Sequence, residues 1–327
     1  MKPASFFRFA PACALALSSL VLPGTAAAQA YPAKPVRIMV GASPGGGTDI
    51  LARVLAEKFG RDMKQSFIVE NRPGASNTIA AEITARAEPD GLTLLLATNT
   101  GQAIAPHLLK LKFDPIKDLQ PIGMVAVMPN VLVVSSTSPY NNVKDLLAMM
   151  QAKPGDAKYG SSGLGSTQHI GGAAFNLATG TQAIHVPYKG SSQAHIDIIG
   201  GQVDMMFDTT SSAMAQIKGG KLRALAVSAP KRTPELPNVA TLAEQGISGA
   251  DVTTWYGLFT TRGTPPAVVA RLSEQLLSTL QSPEVQTRIK SLGGEIELLS
   301  VEQFAKLNQN DYERYGKLVK AANIKAE

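Results

Sequence analysis

Apolar residues at alternate positions, Val36, Ile38 and Val40, predict a strand over 34–40. The spacing then changes, and Ile50, Leu51, Val54, Leu55 and Phe59 recur at helical intervals, which predicts a helix from Thr48 or Asp49 to Phe59. A second strand follows over 67–70, then a turn at Asn71-Arg72-Pro73-Gly74-Ala75 and a helix through Ile79 and Ile83. The run 92–97 is almost wholly apolar, as suits a strand buried on both faces. Strands alternating with helices imply an α/β chain with a parallel, doubly wound sheet. Ligands of such sheets sit at the carboxyl ends of the strands, which puts Pro44 to Asp49 and Thr98, Asn99 and Thr100 on one rim.

Residues 121–134 read as a long strand broken at Met128-Pro129-Asn130, and we take this as the passage into a second domain. Helices are predicted over 143–151 and 169–178 and after Ser192; strands over 157–159, 184–188, 203–207 and 222–227. Thr241 and Glu244 have capping-box spacing before a short helix stopped by Gly246. The strand over 253–260 returns to the first domain, and helices over 265–280, 283–292 and from Ser300 complete the chain. The expected domains are therefore 31–128 with 253–327, and 129–252. Two crossings between them form a hinge on which the domains can close.

Residues 1–30 have the character of a signal peptide: Lys2 and Arg8, an apolar run over 9–22, and small residues at Ala26-Ala27-Ala28-Gln29-Ala30, with cleavage expected near Ala28 or Ala30. The sole cysteine, Cys13, falls within it, so the mature chain has no disulfide, thiol nucleophile or cysteine-ligated metal. Export without disulfides suits a bacterial periplasm. Without Lys2 and Arg8 the chain has 29 basic against 25 acidic residues, a net charge of about +4. The bases are scattered, which argues against nucleic acid as a partner.

The candidate chemistry lies in two loops. Ser43, Pro44, Gly45, Gly46, Gly47, Thr48 and Asp49 join a strand to a helix, and three glycines there leave backbone amides unshielded beside a helix N-terminus. That makes an anion site needing no Arg or Lys, although a tight turn would use the same residues. Neither a P-loop lysine nor a GxGxxG motif is present. The second loop, Gly160 to Thr167, adds hydroxyls from Ser161, Ser162, Ser166 and Thr167 to Gly163 and Gly165, which suits a carboxylate or an ordinary flexible loop. It contains no GxSxG elbow. His107, His169, His185 and His195 lack metal-ligand spacing, so neither a metal nor a cofactor is expected. His169 is either structural or ligand-facing. Asp208 is on the ligand rim or caps the next helix, and Lys189 is the base placed to serve as a counter-charge. Trp255 and Tyr256 read as core or hinge packing.

Six segments, in order, resemble the Bug family, the periplasmic receptors of tripartite tricarboxylate transporters. They are Tyr31 to Ile38, Pro44 to Arg53, Val69 to Ala75, Gly160 to Ser166, His185 to Gly190 and Gly200 to Asp204. The resemblance implies a type II periplasmic-binding-protein fold, with a carboxylate held between the two loops by amides, hydroxyls and ordered water. It further implies a monomer that delivers a mono- or dicarboxylate to integral-membrane transporter subunits. Where the family usually continues Pro-Gly-Ala with Gly-Gly, this chain has Ser76-Asn77, a stiffer and more polar loop. The alternatives are a periplasmic enzyme using Asp208, His169 or the serine-rich loop, and a receptor that reports to a sensor kinase.

Overall fold

The computed structural model describes residues 31–325, together with Met1 and Ala4. Apart from those two residues, the predicted signal peptide lies outside the described residues. From Tyr31 onward, β1 (Val36–Val40), β2 (Phe67–Asn71) and β3 (Thr93–Thr98) form a parallel group in the order β2-β1-β3. The helices between them are α1 (Gly47–Met63) and α2 (Thr78–Ala85). All six residues of β3 are buried, as its apolar run requires.

The expectation of an all-parallel sheet gives way to a mixed one. β4 (Leu119–Ser135) and β9 (Thr253–Thr261) pair antiparallel with each other, and β9 also runs antiparallel to β3. Nor is β4 broken at Pro129. It is continuous over 17 residues and changes partners there: Leu119 to Pro129 pair with β9, whereas Asn130 onward pair with β7 (Met205–Thr209) and β8 (Leu222–Ser228). Proline cannot donate to a ladder, and the changeover is where the strand tolerates it. Beyond β7 lie β5 (Lys158–Ser161) and the edge strand β6 (Ile184–Pro187), both parallel.

The remaining helices are α3 (Val143–Ala152), α4 (Thr167–Thr179), α5 (Ser191–Ile199), α6 (Thr210–Lys218), α7 (Pro266–Gln281), α8 (Pro283–Ser291) and α9 (Val301–Ala321). Leu272, Leu276 and Leu280 of α7 recur at helical spacing and pack with α1 and β1 in one core. Another core joins Phe175 of α4, Phe207 of β7 and Tyr315 of α9. Ser300 and Gln303 form the expected capping box on α9. The Thr241–Glu244 box also forms, but it opens only a three-residue 3-10 turn before Gly246 at φ 82°. This order of elements brings the N-termini of α1, α4 and α6 to the carboxyl ends of β1, β5 and β7.

Candidate functional site

The first glycine loop is organised by Asp49. Its Oδ2 accepts from the Gly45 amide at 2.9 Å and Arg53 Nε at 3.0 Å; its Oδ1 accepts from Arg53 Nη2 at 2.9 Å and Asn71 Nδ2 at 3.0 Å. Four donors fill the acceptor sites of a carboxylate. These hydrogen bonds and the Arg53 charge outweigh the effect of burial and hold the carboxyl below its ordinary range, with burial alone acting upward. Asp49 thus braces the loop from behind. The Gly46 amide closes a turn on the Ser43 carbonyl at 3.2 Å, and Pro44 and Gly45 are exposed. No side chain caps α1, so the amides of its first turn, Gly47, Thr48 and Asp49, are without a partner among the described residues.

The second loop uses its polar groups internally. The Gly163 amide donates to Ser161 Oγ, the Gly165 amide to His169 Nδ1 and the His169 amide to Ser166 Oγ, at 3.1, 3.0 and 3.2 Å. Ser162 Oγ donates to Gln168 Oε1 at 2.9 Å, and the Thr167 amide to Thr100 Oγ1 at 3.3 Å. His169 stacks on His185, centroids 3.7 Å apart, and burial depresses their pKa values to about 4 and about 3. Both rings are neutral at pH 7. A cavity of about 370 Å³ opens behind this loop, lined in part by Tyr159, His169 and His185, but no residue of α1 lines it.

A third helix end, the one that follows Asp208, meets the first. α6 also has no side-chain cap, and its Ser211 lies against α1: a β-carbon at Gly47 would collide with Ser211 Oγ and lie 3.0 Å from Tyr256 OH. Ser211 Oγ and Tyr256 OH are 3.1 Å apart. Tyr256 and Thr254 occupy one face of β9, where Thr98 of β3 pairs with Tyr256 on one side and Asn130 of β4 accepts from Thr254 Oγ1 at 3.3 Å on the other. Thr254 Oγ1 also meets Thr167 Oγ1, at the start of α4, at 2.6 Å. The ends of α1, α4 and α6 therefore converge on a polar floor made by β3, β9 and β4.

Asp208 lies beneath this site rather than on its rim. It is fully buried; its Oδ2 meets His195 Nε2 at 2.6 Å, and its Oδ1 accepts from Ser191 Oγ, Gln168 Nε2 and the Thr209 amide at 2.9, 3.3 and 2.9 Å. It ties together the starts of α4, α5 and α6. Burial acts to lower the His195 pKa, but the hydrogen bond and charge of Asp208 together raise it. Asn99 turns away from the floor, donating to the Thr253 carbonyl at 2.9 Å and Tyr315 OH at 3.2 Å. Lys189 is exposed, and its carbonyl accepts from Ser43 Oγ at 3.3 Å. Ala75, Ser76 and Asn77 all adopt left-handed φ values, 45°, 54° and 71°. Ser76 Oγ there donates to the Leu164 carbonyl in the second loop.

The fold is that of periplasmic solute-binding proteins. It matches the structure of the periplasmic binding protein BugD with a TM-score of 0.85 at 34% identity, over 91% of this chain and 100% of that one. A protein from R. palustris solved with adipate matches with a TM-score of 0.87 at 31% identity, over 91% and 100%. MatC from Rhodopseudomonas palustris, solved with bound malate, matches with a TM-score of 0.83 at 29% identity, over 88% and 100%. Residues 51–324 match the model of the tripartite tricarboxylate transporter family receptor, and the chain belongs to that family. No helix among the described residues is long and apolar enough to cross a membrane.

Proposed function

We propose that this protein is an exported receptor that captures a small carboxylic acid between two lobes and presents it to the membrane subunits of a tripartite transporter. The lobes are residues 31–128 with 253–327, and 129–252; β4 crosses from the first to the second, and the chain returns to the first at the start of β9. The observation that carries the reading is the meeting of two uncapped helix N-termini, α1 and α6, over the Tyr256 floor. Free amides and helix dipoles stabilise a carboxylate there without a buried cation. A buried salt bridge would have to overcome the desolvation of two charges, whereas these dipoles are already in place. The adipate and malate bound by two related proteins support an organic acid as the ligand.

One arrangement favours the enzyme alternative: Ser161 Oγ lies 2.6 Å from His185 Nε2. Yet Ser161 is fully buried and its hydroxyl is bonded to the Gly163 carbonyl at 3.0 Å, so no substrate reaches it without unfolding the loop. The test is a thermal shift of the refolded mature chain with C4 to C6 carboxylates, followed by NMR of the recovered ligand. Free ligand at 100 times its Kd stabilises the native state by about 2.7 kcal/mol. A shift with one class of acid, returned unchanged, supports a receptor; turnover of the acid refutes it.

A further inference from the structure

Two loops of the first lobe reach across to the second, and each does so through a serine hydroxyl. Ser43, after β1, donates to the Lys189 carbonyl in the loop between β6 and α5 at 3.3 Å. Ser76, after β2, donates to the Leu164 carbonyl in the loop between β5 and α4. On the lobes proposed above, both donors belong to 31–128 and both acceptors to 129–252. The pairing is crossed: inner strand β1 is joined to edge strand β6, and edge strand β2 to inner strand β5. No other donor among the described residues reaches either carbonyl.

The groups that meet are themselves held in place. Ser76 has φ 54° and ψ 45°, between Ala75 at φ 45° and Asn77 at φ 71°. Side chains rarely adopt that region, and such a conformation persists only where its surroundings impose it. Here the Asn77 amide donates to the Gly74 carbonyl at 3.0 Å and Thr78 Oγ1 to the Ala75 carbonyl at 2.6 Å. The turn is also seated tightly on the end of β1, since a β-carbon at Gly41 would lie 2.6 Å from the Asn77 carbonyl oxygen. Across the cleft, the Lys189 amide donates to Gln193 Oε1 at 3.2 Å.

From this we infer that Ser43 and Ser76 are positioning residues of the receptor, a two-point clasp that stabilises the closed lobes before any acid is bound. The inference rests on the receptor reading above. Both contacts consist of protein atoms alone, so the clasp contributes equally whichever acid enters. A hydrogen bond between neutral groups changes an equilibrium by roughly 2- to 12-fold. Two such bonds bias the lobes toward closure without locking them, as release of the acid requires.

Residues 31–327 contain no cysteine, so the pair E57C/I196C places spin labels only at two exposed positions, one on α1 and one on α5. Pulsed electron resonance of this refolded protein, without added acid, should show a short and a long distance. S43A and S76G should each shift the ratio toward the long one by roughly 2- to 12-fold. Glycine suits the φ of Ser76, so S76G removes the hydroxyl without straining the turn. S43T retains a hydroxyl and should retain the wild-type ratio. Serines with a merely structural role would change the melting temperature and leave the ratio alone. A distribution unchanged from wild type in S43A or in S76G, or a wild type with no short distance, overturns the clasp and leaves the receptor standing. The receptor reading falls separately, if no C4 to C6 carboxylate shifts the melting temperature of the refolded chain.

Discussion

Gly47 offers the sharpest perturbation of the site. It is the first residue of α1, with no positive φ, so alanine suits its backbone; what forbids a side chain is Ser211 of α6 and Tyr256 of β9. An added β-carbon would collide with Ser211 Oγ and lie 3.0 Å from Ser211 Cβ and from Tyr256 OH. Unstrained carbon contacts begin near 3.5 Å, so α1 and α6 must separate by several tenths of an ångström or more. Overpacking of this kind costs about 1–3 kcal/mol. A receptor free to open avoids that cost by staying open, so the penalty falls on the closed, ligand-bound form. Since about 1.4 kcal/mol is tenfold in affinity, G47A should bind its carboxylate roughly 5- to 150-fold more weakly. The melting temperature of the unliganded protein should not fall, because alanine is a better helix former than glycine. Trimming the opposing residue in the double variant G47A/S211G should recover much of the loss, a coupling expected only of residues in contact. The assay is calorimetric titration of the four proteins of the cycle. Wild-type affinity in G47A, or no recovery in the double variant, would refute the claim that closure brings these two helix ends together.

Asp49→Ala removes the brace of the first loop, leaving the Gly45 amide and the Arg53 guanidinium without their partner. Ligand affinity should drop about tenfold, with a stability loss of about 1–3 kcal/mol read from denaturant midpoints. Acid should destabilise the protein through His169 and His185, whose folded-state pKa values of about 4 and about 3 lie below the ordinary 6.5. Their contribution is intact above pH 6.5 and is lost as the pH falls toward 4, because only the unfolded chain then gains the protons. His185→Gln should flatten that part of a melting-temperature profile; an unchanged profile would exclude the pair as the cause. His195, raised by Asp208, acts in the opposite sense, its stabilisation being complete below pH 6.5 and fading as the pH rises through its folded value.

Local pattern located the strand-loop-helix unit around Gly45 to Gly47, the buried strand β3 and the cap at Ser300, because each is specified by residues within about one turn or strand of one another. The partner exchange of β4 at Pro129 is legible only as an interruption, since pairing depends on residues 71 to 142 positions away. The same limit explains part of the second loop: Thr100, which takes the Thr167 amide, is 67 residues away, whereas His169, four residues from Gly165, takes that amide through a ring orientation that spacing does not specify. The third helix end, at Thr210 and Ser211, carries no glycine signature; its one local signal was the Asp208-Thr209-Thr210 stretch ending a strand. In the sequence Asn130 reads only as part of the break at Met128-Pro129-Asn130, and register alone reveals it as part of the floor.

The central claim is that neutral backbone amides at two helix ends hold an anionic carboxylate. Its most direct test is an equilibrium titration of the refolded mature chain with the carboxylic acid that gives the largest thermal shift, alongside the corresponding primary carboxamide. The account predicts one binding site per chain for the acid and at least a hundredfold weaker binding of the amide, which has the same shape without the charge. Equal binding of the two would contradict it.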